Sequence, residues 1–223
     1  SEDRNIWVDD YPLLPVRRRF WELVLRAVDE PGTASQLRTQ LKIVFEAVHS
    51  YAERELGTVV PADFIFDQLQ PDLVRTNVLL REVDETIRKL DDGSADGRLK
   101  KRLSALVFLI RKMPRDPAVD SGVRATAGML ADLMVEGLDG GGGELRNRIP
   151  KLLDALVEDS ILIKIDEEFS LQTRESAEWE KEFRNRLGNL RQDISAQAVA
   201  RGELLQELVN RQLGGRKISQ GKS

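Results

Sequence analysis

Cysteine is absent from the 223-residue chain, and histidine occurs only once, as His49. Without thiols the protein can form neither a disulfide framework nor a thiolate-bound metal site. A single imidazole likewise excludes a histidine-rich metal site and a Cys–His catalytic pair. We therefore expect no metal ion and no cofactor in this chain.

Long apolar runs are missing as well. No stretch approaches the roughly 20 apolar residues that a membrane-spanning helix requires, and the N-terminal residues do not resemble a secretory signal. Aromatic residues make up only 5% of the chain, while hydrophobic residues make up 41%. This composition suits a mainly helical protein with a buried core. We expect it to be cytoplasmic and not bound to a membrane.

Motifs that carry chemistry are also scarce. The tail GRKISQGKS has five residues between Gly215 and Gly221, whereas a P-loop requires four, together with a preceding strand. The many carboxylates do not form a spaced pair suited to acid–base catalysis. The formal net charge of −4 gives no basic field of the kind that nucleic-acid-binding domains carry. The sequence predicts that this chain is not an enzyme.

The clearest pattern lies in residues 123–173, where a helix, a glycine-rich turn, a second helix and a hairpin follow one another. The hairpin is predicted from Ile161, Ile163 and Ile165, whose period-two spacing places them on one face of a strand. The second helix is predicted from apolar residues at three- and four-residue spacing, namely Leu145, Ile149, Leu152, Leu153, Leu156 and Val157. This order predicts a winged helix-turn-helix.

A candidate DNA-binding face lies at the start of that second helix. Pro150 is tolerated only in a first helical turn, which predicts a start near Asn147, a good N-cap residue. A recognition helix contacts DNA through such a start, and the candidate contact residues are Arg146, Asn147, Arg148, Lys151 and, at the wing tip, Lys164. The alternative is that these are solvated charges, flanked by Glu144, Asp154 and Glu158, on a module that binds proteins or packs against its own bundle.

The N-terminal half is predicted to be a helical bundle. Helices are expected over residues 16–29, from 33 or 35 to 55, over 61–69 and over 73–90, with Pro71 as a break. The apolar stripe of the second helix consists of Leu37, Leu41, Val44, Val48 and Tyr51. The polar, glycine-bearing residues 91–97 predict a linker and a domain boundary.

Two further helices complete the pattern. One is expected over residues 98–113. Four basic residues lie at its start, namely Arg98, Lys100, Lys101 and Arg102. This basic quartet is explained either by an anionic partner or by solvation. A long helix over residues 174–213 has an apolar series from Trp179 onward, interrupted by Gly188 and Gly202. Its second half is a candidate for pairing with a partner helix or with itself.

Several unusual strings resemble the large P-loop ATPase of BREX phage-defence systems (BrxC/PglY type). They are DDYPLLPVRRRFWELVLRAVDEPGTASQLRTQLKIVFEAV, GTVVPADFIFDQLQ and WEKEFRNRL. The resemblance covers essentially the whole chain. It implies a fragment of a longer AAA+-like protein whose Walker motifs, and hence its ATP and Mg²⁺, lie upstream.

That resemblance implies a lid-like helical bundle followed by a winged helix. By analogy, Arg17, Arg18 and Arg19 are candidates for a nucleotide-sensing arginine, with a solvated helix start as the alternative. The expected divisions are a helical bundle (1–92), a winged helix-turn-helix (97–173), a long helix (174–213) and a disordered tail (214–223).

The expected function is non-catalytic: to couple a BREX-type ATPase to double-stranded DNA or to other defence proteins. One alternative is a structural protein-interaction module without DNA contact. Another is a winged-helix transcriptional regulator.

Overall fold

Helices dominate the computed structural model, which describes residues 10–28, 35–139, 142–172, 186 and 194–213. Within these residues there are eight helices and one two-stranded antiparallel sheet, so the mainly helical prediction is confirmed. The order is α1 (Pro15–Val28), α2 (Ser35–Tyr51), α3 (Phe64–Arg75), α4 (Arg81–Lys89), α5 (Ala95–Lys112), α6 (Ala127–Met134), α7 (Gly142–Glu158), β1 (Leu162–Ile165), β2 (Glu168–Leu171) and α8 (Ile194–Leu213).

Helix α5 forms the centre of the core. The sequence predicts one apolar side for it, yet all eight residues from Leu103 to Ile110 are buried, including Ser104. A helix that is apolar all round is buried on every side, and α5 accordingly contacts α1, α3, α4, α6, α7 and β2. The core is therefore continuous from the N-terminal bundle to the hairpin.

The predicted linker at residues 91–97 is a short capped turn. The Asp91 and Asp92 carboxylates accept hydrogen bonds from the Gly93 and Ser94 amides at 3.2 and 2.9 Å. The Ser94 hydroxyl then accepts from the Gly97 amide at 2.9 Å, which caps the start of α5. Residues 1–172 form one compact unit and residues 173–223 a second, so this turn lies within the first unit.

The predicted helix break at Pro71 is wrong. Pro71 lies inside α3, which continues to Arg75. The chain then breaks at Asn77, whose φ of 59° is left-handed, before α4 begins at Arg81. Burial of Leu69 and Leu73 on either side of Pro71 offsets the hydrogen bond that a proline removes from a helix.

Helix α2 contradicts the predicted apolar stripe. From Arg38 onward its buried residues are Ile43, Ala47 and Tyr51, of which only Tyr51 belongs to that stripe. The side chain of Leu37 lies outside the described residues. Leu41 is 63% exposed, and Val44 and Val48 are 36% and 39% exposed. The helix also ends at Tyr51, four residues before the expected end at Glu55.

The predicted hairpin is confirmed, with Leu162 opposite Leu171 and Ile165 opposite Glu168. Asp166 takes the left-handed conformation, with a φ of 54°, which the two-residue turn requires and aspartate tolerates. Leu162 and Phe169 share the buried face at 1% and 3% exposure. The isoleucine face is the outer one, and Ile165 on it is 59% exposed.

The helix before α7 begins later than predicted. Residues 121–126 are not helical, and α6 starts at Ala127 after Thr126, whose hydroxyl caps the Met129 amide. The Phe169 amide donates to the Ala125 carbonyl at 2.9 Å, which holds the segment before α6 against β2. Pairing to the hairpin thus replaces the helical turn that is expected from Val123 onward.

The second unit contributes α8, whose helix includes Gly202. The expected helical residues 174–185 and 187–193, with Trp179 and Gly188, lie outside the described residues, as does the tail 214–223. Among the helices that are described, none is long and apolar enough to cross a membrane.

Candidate functional site

Four of the five predicted DNA-binding residues, all but Lys164, lie on the body of α7 and not at its start. The helix begins at Gly142, five residues before Asn147, so the predicted N-cap is wrong. Pro150 lies inside the helix, where burial of Ile149 and Leu152 on either side offsets its missing hydrogen bond. The free amides of the first helical turn, which would bind phosphate, therefore belong to residues that precede the predicted contact residues.

Both arginines of this face are bound to carboxylates. Arg146 donates from Nε and Nη2 to one oxygen of Asp132 at 3.1 and 2.6 Å. Arg148 makes the same two bonds, at 3.1 and 2.6 Å, to Asp96 in the first turn of α5, and Glu144 lies 3.7 Å away. The hydrogen bond to Asp96 is the main reason that the pKa of Arg148 is raised.

The solvent face of α7 is acidic. Asn147 and Lys151 are exposed and four residues apart, hence on the same side of the helix. Lys151 has no ion-pair partner in the part of the chain that the structure describes. The same side carries three exposed carboxylates, those of Glu144, Asp154 and Glu158. One ammonium group among three carboxylates does not form a surface that attracts phosphate.

Lys164 belongs to a different element, strand β1, and is also engaged. Its ammonium lies 3.4 Å from the Glu167 carboxylate and 5.7 Å from the centre of the Phe169 ring. The hairpin turn consists of Asp166 and Glu167. The tip of the hairpin is therefore acidic, and it would repel a DNA backbone.

Arginines gather behind the hairpin around one carboxylate. Arg115 makes two hydrogen bonds to Glu168, at 3.0 and 2.6 Å, and Arg124 lies 3.4 Å from it. These contacts, led by the Arg115 hydrogen bonds, lower the pKa of Glu168. The basic quartet of α5 shows the same arrangement, because Lys100, Lys101 and Arg102 pair with Asp159, Asp67 and Asp63. The fourth member, Arg98, is exposed and donates to the Gly93 carbonyl at 2.8 Å.

The three candidate nucleotide-sensing arginines point to different places. Arg17 is only 2% exposed, so the expected solvated helix start is wrong for it, and a nucleotide would reach it only if the surrounding segments moved. The Arg18 Nε atom lies 3.3 Å from the Asp10 carboxylate, and the Arg19 side chain is exposed. The structure thus does not bring the three to one site.

Arg17 joins two distant segments in the interior. Its guanidinium donates to the carbonyl oxygens of Val60 and Val135. Burial lowers the pKa of Arg17 to about 10, an effect that the nearby Asp63 opposes. The guanidinium therefore stays protonated at neutral pH. Its role here is to fasten α1 to the segments before α3 and after α6.

A second arginine completes this arrangement. Arg102 binds both oxygens of the buried Asp63, at 2.6 and 3.0 Å, and Glu136 at 2.6 Å. Burial alone would lower the pKa of Arg102, but the bonds to Asp63 and Glu136 outweigh it and raise the pKa. We call Arg17, Arg102, Asp63 and Glu136 the arginine junction.

Two of the three strings that carry the BREX resemblance meet at this junction. The third, residues 179–187, lies outside the described residues except for Arg186. The Val60 amide donates to the Pro12 carbonyl at 3.0 Å, and the Ala62 amide to the Leu133 carbonyl at 2.9 Å. The Trp21 indole donates to the Ala62 carbonyl at 2.8 Å. Sequence analysis missed the junction, although a signal was present. Arg17 stands three, four and seven residues before Phe20, Trp21 and Val24, on the buried face of α1.

No group of three or more histidine, aspartate or glutamate side chains among the described residues is placed to hold a metal ion. No protein-family model matches the chain, and no solved structure matches it.

Proposed function

We propose that this chain is a non-catalytic interaction module of a BREX-type ATPase. In this proposal α1 to α4 correspond to a lid-like bundle, and residues 95–171 form a winged helix that acts through contacts with proteins. The BREX assignment rests on the resembling strings. The module would couple the ATPase, whose nucleotide site lies upstream, to other defence proteins.

The element order supports the winged-helix part of the proposal. Three helices, α5, α6 and α7, are followed directly by an antiparallel hairpin. The bond from the Phe169 amide to the Ala125 carbonyl supports the proposal as well, because it joins the segment before α6 to β2. In the proposal, the seven residues between Met134 and Gly142 take the place of the turn of a helix-turn-helix, which is usually about three or four residues long.

The observation that carries the choice of protein over DNA is the charge distribution on α7. Arg146 and Arg148 are bound to Asp132 and Asp96, and the solvent side of the helix is dominated by carboxylates. DNA affinity depends on cations that are free to replace the counterions of phosphate. An acidic outer face suits a basic or polar protein surface better.

Helix α8 supports an interaction role through its own exposed residues. Leu204 and Leu205 are each 62% exposed, and Leu208 and Val209 are 49% and 47% exposed. An amphipathic helix with an uncovered apolar side binds a second helix. Self-association through α8 is therefore part of the proposal.

Direct DNA contact is the second candidate, favoured by the exposure of Asn147 and Lys151 on one side of α7. A salt titration of duplex DNA binding separates the two candidates. We expect no saturable binding at low ionic strength, and no change in the double variant Arg148→Ala/Lys151→Ala. Salt-dependent binding that this variant abolishes would overturn the protein-only proposal and establish the DNA candidate.

A further inference from the structure

The outer side of α2 carries an apolar surface that the described residues leave exposed. Leu41 and Phe45 are 63% and 65% exposed, and Val44 and Val48 are 36% and 39% exposed. We call these four residues the α2 face. Other exposed apolar residues of the first unit, such as Leu56 and Val119, do not form such a row. Burial of apolar side chains is favourable, so a row of four on one helix is a surface suited to binding a partner.

The spacing of the α2 face is that of a helix-pairing seam. Leu41, Val44 and Val48 follow one another at three and four residues, the interval by which coiled-coil helices present apolar residues to a partner. Ile43 and Ala47, at 2% and 0% exposure, are buried on the adjacent side of the helix. Because that side is fixed in the core, the helix cannot rotate to bury the α2 face itself.

Basic side chains run along one edge of this surface. Arg38 and Lys42 are exposed and four residues apart, next to Phe45 on the helix. In the described part of the chain neither has an ion-pair partner, unlike the arginines of α7 and the arginine junction. The exposed His49 continues the edge, and its ring stacks on Phe45 with ring centres 5.8 Å apart.

The charge of this edge selects the kind of partner. A second copy of α2 would bring another basic edge, so its charges would repel those of the first. A helix with carboxylates beside its apolar side would instead pair with Arg38 and Lys42, in the way that charges flanking a coiled-coil seam set the choice of partner.

We propose that the α2 face is a docking site for an amphipathic helix of a partner protein that carries carboxylates along one edge. The inference rests on the proposed function as an interaction module, and it names a surface and a class of partner for it. The surface lies on α2, apart from α7 and the hairpin.

The probe is a designed helical peptide with leucine at the heptad core positions and glutamate at the flanking positions. Its matched control carries lysine in place of glutamate. Fluorescence anisotropy with the full 223-residue chain measures both, at peptide concentrations where each is monomeric. We expect saturable binding of the glutamate peptide and binding at least about tenfold weaker for the lysine peptide.

Variants locate the site. Phe45→Asp places a charge in the centre of the α2 face, and we expect it to weaken binding of the glutamate peptide by about tenfold or more. Val119→Asp makes the same kind of change at a residue that is 57% exposed away from this face, and it should leave binding unchanged. The double reversal Arg38→Glu/Lys42→Glu should exchange the preference between the two peptides. Circular dichroism on each variant excludes unfolding as the cause.

Three results would overturn the proposal: equal binding of both peptides, insensitivity to Phe45→Asp, or no binding by a folded chain. A mass that rises with protein concentration and is restored to that of one chain by Phe45→Asp would also overturn it, because the occupant would then be a second copy. The DNA titration is unaffected by any of these results, so failure of the docking site and failure of the proposed function remain distinguishable.

Discussion

The arginine junction and the outer face of α7 use the same side chain in opposite settings. At the junction, Arg17 is 2% exposed and binds two backbone carbonyl groups. On α7, Arg146 pairs with Asp132 of α6, with Nη2 and Oδ1 2.6 Å apart. The two side chains are nevertheless 65% and 53% exposed. Short distances alone therefore do not identify the contacts that hold the fold. Burial decides which contacts stabilise the folded state. Leaving a buried polar group without a partner lowers stability strongly, whereas an exposed ion pair adds little to it.

The largest expected loss of stability comes from removing the buried arginine of the arginine junction. Arg17→Met keeps much of the side-chain volume but leaves the carbonyl groups of Val60 and Val135 without their donor. We expect a loss of roughly 2–4 kcal/mol in the free energy of unfolding, measured by urea denaturation. The control is Arg148→Met, which makes the same change on α7 and should leave the denaturation midpoint nearly unchanged. Equal effects of the two variants would contradict the comparison.

A smaller effect is expected for the pair Arg102 and Asp63. Asp63 is 7% exposed, so its two bonds to Arg102 are shielded from water. A double-mutant cycle with Arg102→Met and Asp63→Asn should give a coupling energy of about 1–3 kcal/mol. The exposed pair Arg75 and Asp72, 3.1 Å apart, is the control and should give a value near zero. A junction coupling no larger than the control would show that burial does not distinguish the two.

The smallest effect is expected on acidification, at Glu168. Its pKa in the folded protein lies below the usual 4.5, chiefly through the hydrogen bonds from Arg115. A carboxylate whose pKa is lowered by folding stabilises the protein above its unfolded pKa and loses that contribution as pH falls through the folded pKa. The stability difference between the wild type and Glu168→Gln should thus be constant from roughly pH 5 to 8, and shrink below pH 4.5.

Arg115→Met supplies the check on that result. With the main donor removed, the stability change caused by Glu168→Gln should lose most of its pH dependence in thermal unfolding. A change that stays constant down to acid pH in the wild-type background would contradict the assigned contact.

The elements that could be predicted from the sequence are those whose pattern of apolar residues is set by neighbouring residues in the chain. The hairpin followed from alternation in residues 161–171, and α7 from its apolar stripe, because both periods are set by the local backbone. Pro71 was treated as a break and Pro150 as a first-turn residue, yet both lie within helices whose flanking residues are buried. Tertiary packing outweighed the local cost of proline there.

Partners distant in the chain account for the remaining differences. Nothing near Arg148 in sequence indicates Asp96, 52 positions earlier, and nothing near Arg17 indicates Val135, 118 positions later. The stripe predicted for α2 is apolar in sequence, but its spacing does not state whether its partner lies in the same chain. Only the neighbours supplied by the fold distinguish a core face from an exposed one.

The most direct test of the central claim, that carboxylates of this chain occupy the α7 arginines, is duplex DNA binding by the double variant Asp96→Asn/Asp132→Asn. Measured by fluorescence anisotropy at low ionic strength, the variant should gain salt-dependent affinity because Arg148 and Arg146 are released. The wild type should show no saturable binding under the same conditions. Equal affinity of the two proteins for DNA would contradict the account.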